Sequence, residues 1–196
     1  MQTASPLLLE TIKTEDGTVF NLPYHQARFD HSRKALFNTD DTLDLSKIID
    51  TPPKGLYRCR ILYDTNIRSV DYIPYIPKKI HTLRVIPSDI EYIYKYADRE
   101  AFNILLRKNS DVDEIIIEKE GLLTDTTISN IAFYDGKKWL TPAKPLLQGT
   151  MRAKLISEGF LREADISKEM LGRFTHVALI NAMLGFKILN HLEIQH

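Results

Sequence analysis

The sequence predicts an α+β protein built as a small N-terminal α/β domain over residues 1–87 and a larger C-terminal domain over residues 88–196. Three observations predict it. Short runs rich in β-branched and aromatic residues recur along the chain. Stretches free of Gly and Pro, long enough for helices, separate groups of those runs. Pro87-Ser88-Asp89 breaks the series where a linker would stand.

Leu7 to Lys13, then Glu15-Asp16-Gly17, then Val19-Phe20 read as a strand, a tight turn and a returning strand. Pro23 suits a first helical turn, and no Gly or further Pro intervenes before Phe37, so a helix is expected there. Thr51-Pro52-Pro53-Lys54-Gly55 punctuates the chain. After it, Tyr57 to Tyr63, Ser69 to Tyr75 and Ile80 to Ile86 read as an antiparallel meander bounded by Asp64-Thr65-Asn66 and Pro77. Beyond the linker, Asp98 to Lys108 reads as a helix with Asp98 as its cap and Phe102, Leu105 and Leu106 on one side. Asp113 to Glu118, Leu122 to Thr126 and Ile131 to Tyr134 follow as strands, joined by Glu120-Gly121 and Ser129-Asn130 and closed by Asp135-Gly136. A helix from about Thr150 to Ser157 comes next, and the strand-like runs His176 to Met183 and Phe186 to Ile194 complete the larger sheet.

Composition narrows the partners. Lys plus Arg and Asp plus Glu both total 26, so the chain lacks the positive excess that nucleic acid or an anionic membrane surface attracts. A small molecule is the expected partner. The only apolar run in Met1 to Glu10 is Leu7-Leu8-Leu9, without a basic leader, and no later stretch approaches the ~20 apolar residues of a membrane span. A cytoplasmic compartment is expected, with Cys59 as a lone thiol in a strand. The six histidines show no ligand spacing with one another or with Cys59, so no metal is assigned.

Leu146-Leu147-Gln148-Gly149-Thr150-Met151-Arg152 places Gly and Thr where a loop turns into a helix, exposing backbone N–H groups that can hold a phosphate. Read alone, this is equally an ordinary glycine before a helix. It has company in the chain. Asp113-Glu114-Ile115-Ile116-Ile117, Gly121 to Ile131, Thr141-Pro142 and Leu147 to Arg152, in that order and at those spacings, resemble the core signature of class IV aminotransferases, a family that includes aminodeoxychorismate lyase. Upstream, Glu10-Thr11-Ile12-Lys13 and His25-Gln26-Ala27-Arg28 resemble the family's first strand and its phosphate-binding arginine motif. The resemblance covers most of the chain and implies a fold-type IV enzyme dependent on pyridoxal 5'-phosphate, its larger domain a mostly antiparallel sheet or barrel, and a homodimer.

The same resemblance implies roles for single residues. Lys95, in Tyr92-Ile93-Tyr94-Lys95-Tyr96, occupies the place of the lysine that carries the cofactor, although locally a lysine in an aromatic strand reads as one snorkelling to water. Partial burial would lower its pKa and make it a nucleophile and a proton carrier. Arg28 is a candidate phosphate ligand, since a guanidinium fork holds two phosphate oxygens. Asp125 stands where the family usually has glutamate, the carboxylate that faces the pyridinium nitrogen, and is one methylene shorter. Leu147 would pack on the ring, the Thr150 and Met151 amides would hold the phosphate, and Asn181 and Ala182, in Ile180-Asn181-Ala182-Met183, would supply a second phosphate contact resembling the lyase branch.

Two reactions and one inactive alternative follow from the resemblance. A lyase would release pyruvate from 4-amino-4-deoxychorismate and leave 4-aminobenzoate. An aminotransferase would act on D- or branched-chain amino acids and need a keto acid to complete its cycle. A noncatalytic binding protein would keep the fold alone.

Overall fold

The computed structural model describes residues 5–195; the first four residues of the Met1 to Glu10 segment and the last residue lie outside the described residues. The chain divides into two compact units, one running to Ile76 and including Tyr94–Asp98, the other made of Pro77–Ile93 and Arg99 onward.

The first unit holds β1 (Leu8–Glu15), β2 (Thr18–Val19), β3 (Leu56–Tyr63) and β4 (Ile67–Pro74), ordered β2-β1-β3-β4 with every neighbour antiparallel. Asp16 and Gly17, with φ of 47° and 80°, take the left-handed conformations that the β1–β2 hairpin needs. The helix α1 (Leu22–Phe37) begins after Asn21 with Pro23 in its first turn and ends at a left-handed Asn38. Alternation along β1 and β3 sends Leu8, Ile12, Cys59, Ile61 and Tyr63 to one face. There they meet Phe29 of α1 and Leu45 of the short helix α2 (Leu45–Ile48) in a buried core. Leu9, Thr11 and Lys13 on β1, and Leu62, Arg60 and Arg58 on β3, are cross-strand partners on the opposite face.

The second unit is a nine-stranded mixed sheet of β5 (Thr82–Pro87), β6 (Glu114–Lys119), β7 (Leu122–Thr126), β8 (Asn130–Tyr134), β9 (Trp139–Pro142), β10 (Leu161–Ala164), β11 (His176–Asn181), β12 (Gly185–Leu189) and β13 (Glu193–Gln195). The strand order is β10-β9-β8-β7-β6-β5-β13, with β11 also on β8 and β12 on β11. The β9–β10, β5–β6 and β5–β13 pairs are parallel and the rest antiparallel. β6 is buried from Glu114 to Glu118, as a central strand covered on both faces must be. Leu83, Ile116, Leu123, Phe133 and Leu179 form the centre of the core. The helices α3 (Glu100–Lys108) and α4 (Thr150–Ser157) complete the unit.

The α+β architecture is the one the sequence predicts, and four details differ. Ile80 to Ile86 is not the third strand of a meander. β5 lies in the second unit, parallel to β6 and β13, because Leu83 and Val85 pack into that unit's core. The chain therefore crosses at 76/77, between Pro74 and Pro77, and not at 87/88; Ser88, in the expected linker, donates its amide to the Glu118 carbonyl inside the second unit. The third helix starts at Glu100, not Asp98: the Ala97 amide is drawn to the Leu7 carbonyl, and Arg99 takes the cap position. The last strand-like run splits into β12 and β13 around His191, whose φ of 55° turns the chain.

Candidate active site

The residues singled out in the sequence fall into two groups, one in each unit, and each group is built from its own scaffold. In the first unit, Lys95 lies on a short segment that is not the aromatic strand expected. Only Tyr96 makes a bridge, to Leu8, and the Lys95 carbonyl accepts the Leu9 amide at 2.9 Å. Tyr94 and Tyr96 pack on the helix-side core, and Lys95 between them is half-buried.

Beside this segment, Glu10 is an acid at an inward position of β1, between Leu8 and Ile12. α1 brings it two partners from one helical face, His25 and Arg28 at a spacing of three. Arg28 grips the carboxylate edge to edge, Nε to Oε1 at 2.8 Å and Nη2 to Oε2 at 2.7 Å. His25 Nδ1 lies 2.6 Å from Oε2. Burial pushes the Glu10 carboxyl up, but the Arg28 charge and the hydrogen bonds from His25 and Arg28 outweigh it and hold the group at about 2. His25 is shifted the other way. Burial lowers its pKa, Arg28 and Lys95 add to the lowering, and the opposing pull of Glu10 does not cancel them. A neutral imidazole beside a carboxylate must carry its proton on Nδ1 and donate it. Arg28, read as a phosphate ligand, is thus also half of a buried ion pair.

In the second unit, one carboxylate organises the site. Asp125, at the end of β7, accepts the Asn130 side-chain amide on Oδ1 at 2.7 Å and the Leu147 backbone amide on Oδ2 at 2.9 Å. Asn130 closes the triangle by donating to the Leu147 carbonyl at 2.9 Å. Burial raises the Asp125 carboxyl to about 6, against the lowering effect of the Leu147 and Asn130 donors. The next residues lead into α4, whose cap residue is Gly149, which has no side chain to cap with, and no acidic residue stands in the first turn. A Cβ on Gly149 would lie 1.9 Å from Asn130 Oδ1, so glycine is required by close approach. Thr150 is buried and Met151 half-buried at that helix start.

Arg152, 2% exposed, bolts this junction down, donating Nη1 to Gln148 at 2.8 Å and Nη2 to the Pro142 carbonyl at 2.8 Å and to Glu163 at 2.7 Å. Asn181 ends β11 and does a separate job. Its Nδ2 donates to Ser129 Oγ and the Ile128 carbonyl, while its Oδ1 accepts the Met183 and Leu184 amides, locking the loop that contains Ala182.

The structure thus joins Asp125 to Leu147, sets both beside the start of α4, and ties Asn181 to the neighbouring turn. Glu10, His25, Asn130 and Arg152 were not singled out in the sequence. Glu10 carried a readable signal, an acid on the apolar face of an alternating strand. The others sit inside matched motifs as positioning groups whose partners are remote in sequence.

Taken unit by unit, these groups are of the kinds that pyridoxal phosphate uses: a half-buried lysine amine in the first unit, and in the second a buried carboxylate beside a helix start led by glycine. Comparison with known proteins agrees. Residues 93–189 match the amino-transferase class IV family. A crystal structure from Haemophilus somnus 129PT, provisionally named a 4-amino-4-deoxychorismate lyase, is 36% identical, with a TM-score of 0.85 over 93% of this chain and 99% of that one. The chain belongs to the class IV aminotransferase family. An uncharacterized protein of Haemophilus influenzae is 39% identical over 91% of this chain and 98% of its own. A protein of Schizosaccharomyces pombe provisionally named an aminodeoxychorismate lyase is 24% identical over 85% of this chain and 82% of its own. As a class IV aminotransferase family member, the protein is a pyridoxal-phosphate-dependent enzyme. No helix among the described residues is long and apolar enough to cross a membrane.

Proposed function

We propose that the protein is a 4-amino-4-deoxychorismate lyase-like enzyme that releases pyruvate and forms 4-aminobenzoate. The observation that supports the cofactor chemistry is the Asp125–Asn130–Leu147 triangle beside the start of α4 at Gly149. When bound, pyridoxal phosphate supplies an electron sink for the carbon that bears the substrate amine. Lys95 Nζ would hold the cofactor, and the same amine would take the proton from the carbon that bears the substrate amine and give one to the enolpyruvyl side chain, from which pyruvate leaves as the C–O bond breaks. Asp125 would serve the pyridinium nitrogen, since each of its oxygens keeps a lone pair beyond the bond already made. In the second unit the Thr150 and Met151 amides and the Asn181-Ala182 backbone would hold the phosphate and Leu147 would pack on the ring; in the first unit Arg28 is the candidate phosphate ligand.

The Gly149-Thr150-Met151-Arg152 and Asn181-Ala182-Met183 segments favour the lyase over an aminotransferase, as does the likeness to the Haemophilus somnus protein. The deciding assay is incubation of the loaded protein with 4-amino-4-deoxychorismate. Pyruvate and 4-aminobenzoate appearing without an added keto acid is the expected result; turnover of amino acids only when a keto acid is supplied would replace the lyase by an aminotransferase.

A further inference from the structure

One amide nitrogen holds both Asp125 and Leu147. Asn130, the first residue of β8 and 5% exposed, donates Nδ2 to Asp125 Oδ1 at 2.7 Å and to the Leu147 carbonyl at 2.9 Å. The Leu147 amide returns to Asp125 Oδ2 at 2.9 Å. A carbonyl can only accept, so the shared atom must be the amide nitrogen. The Asn130 oxygen then lies on the other side, in the space that a Cβ at Gly149 would fill.

Both hydrogen-bond partners of Asp125 are donors, one to each oxygen, an arrangement that favours the anion over the neutral acid. The charge around it is sparse. Asn130 on β8 is neutral, and the Leu146 and Leu147 amides face the carboxylate from the segment before α4. Arg152 on α4 acts by charge alone, because its hydrogen bonds go to Gln148, Pro142 and Glu163. Asp125 is 4% exposed and makes no ion pair among the described residues. Burial leaves it at about 6, so at neutral pH the anion prevails by only about one pH unit. A single hydrogen bond to a charged group is worth about one to two pH units, enough to decide which form is present.

We infer that Asn130 is a positioning residue that keeps Asp125 an anion and locks Leu147 in register with it, so that the residues assigned to the nitrogen and to the face of the cofactor ring are set by one side chain. This rests on the reading of Asp125 and Leu147 above and deepens it: the charge that would receive the ring nitrogen depends on a neutral amide and not on an ion pair. Asn130 acts through these two neighbours. Gly149 belongs to the same device, since any larger residue there would push on the Asn130 oxygen and turn its nitrogen away from both acceptors.

The experiment follows the Asp125 carboxyl of the full chain by carbon NMR against pH, without cofactor, in wild type and Asn130→Ala, with Asp125→Asn to assign the signal. The Asn130→Ala midpoint is expected about one pH unit above that of wild type, a tenfold gain in proton affinity, and its Leu147 amide is expected to exchange with solvent faster. With nitrogen-labelled pyridoxal phosphate added, the ring-nitrogen resonance of wild type should lie in the pyridinium range and that of Asn130→Ala should move toward pyridine at the same pH. A merely structural Asn130 would lower the melting temperature and move neither the midpoint nor the ring nitrogen, and that result overturns the proposal. If Asn130→Ala does not fold, Gly149→Ala takes its place: an upward midpoint supports the proposal and an unchanged one overturns it. A wild type that takes up no pyridoxal phosphate would sink the cofactor reading of Asp125, while the titration without cofactor would still decide whether Asn130 sets its charge.

Discussion

The carboxylate of Glu10 and the guanidinium of Arg28 meet edge to edge inside the first unit, at 2.8 and 2.7 Å, with Glu10 wholly buried. The same carboxylate takes the His25 imidazole, so three ionisable side chains hold β1 against α1. Removing one partner of such a set strands the others, which costs about 3–5 kcal/mol. Glu10→Gln is therefore expected to lower the urea midpoint more than any single substitution on the exposed surface of α1, and Arg28→Met to do nearly the same.

The acid limb of stability follows from the same group. Glu10 ionises at about 2 in the folded chain against an ordinary 4.5, so its contribution is complete above about pH 4.5 and drains away as pH falls toward about 2. Asp125 works in the opposite sense. Its folded value of about 6 lies above the ordinary 3.8, so its contribution shrinks as pH rises from about 4 to about 6 and is level above that. Urea midpoints across these windows should show Glu10→Gln flattening the acid limb and Asp125→Asn flattening the decline above it.

At the α4 junction the expected effect is steric. Gly149→Ala puts a methyl 1.9 Å from Asn130 Oδ1 and should destabilise by about 1–3 kcal/mol. Asn130→Ala removes the obstacle along with the bond to Asp125. The double variant should then be less damaged than the sum of the two singles, a coupling readable in a double-mutant cycle at about 0.5 kcal/mol or more.

Arg152 and Glu163 are in contact, yet their substitutions should differ. Glu163 is half-exposed and its loss is expected to cost about 0–1 kcal/mol. Arg152 is buried and also serves Pro142 and Gln148, so Arg152→Lys, which cannot reproduce the fork, should cost more than Glu163→Gln. Thermal melting of the two variants side by side measures the difference.

What was legible in the sequence was local. Asp16-Gly17 announces a hairpin, Gly149 before Thr150 announces a helix start, and the run from Leu122 to Tyr134 announces two strands, because turn chemistry and alternation act over a few residues. The parallel pairing of β5 with β6 and β13 was not legible, since Leu83 meets Glu114 and Ile194 from far along the chain. The site was half legible. Family motifs singled out Lys95, Asp125 and Leu147, and the structure joins the last two, but Asn130 and Arg152 act through backbone groups that no motif names.

The central claim is that Lys95 carries pyridoxal phosphate, and the absorbance spectrum of purified protein with added cofactor, before and after borohydride, tests it most directly. A visible band that borohydride abolishes in wild type and that never forms in Lys95→Ala is the expected result. A band that persists in Lys95→Ala would move the attachment to another lysine, and no band in either protein would contradict the account.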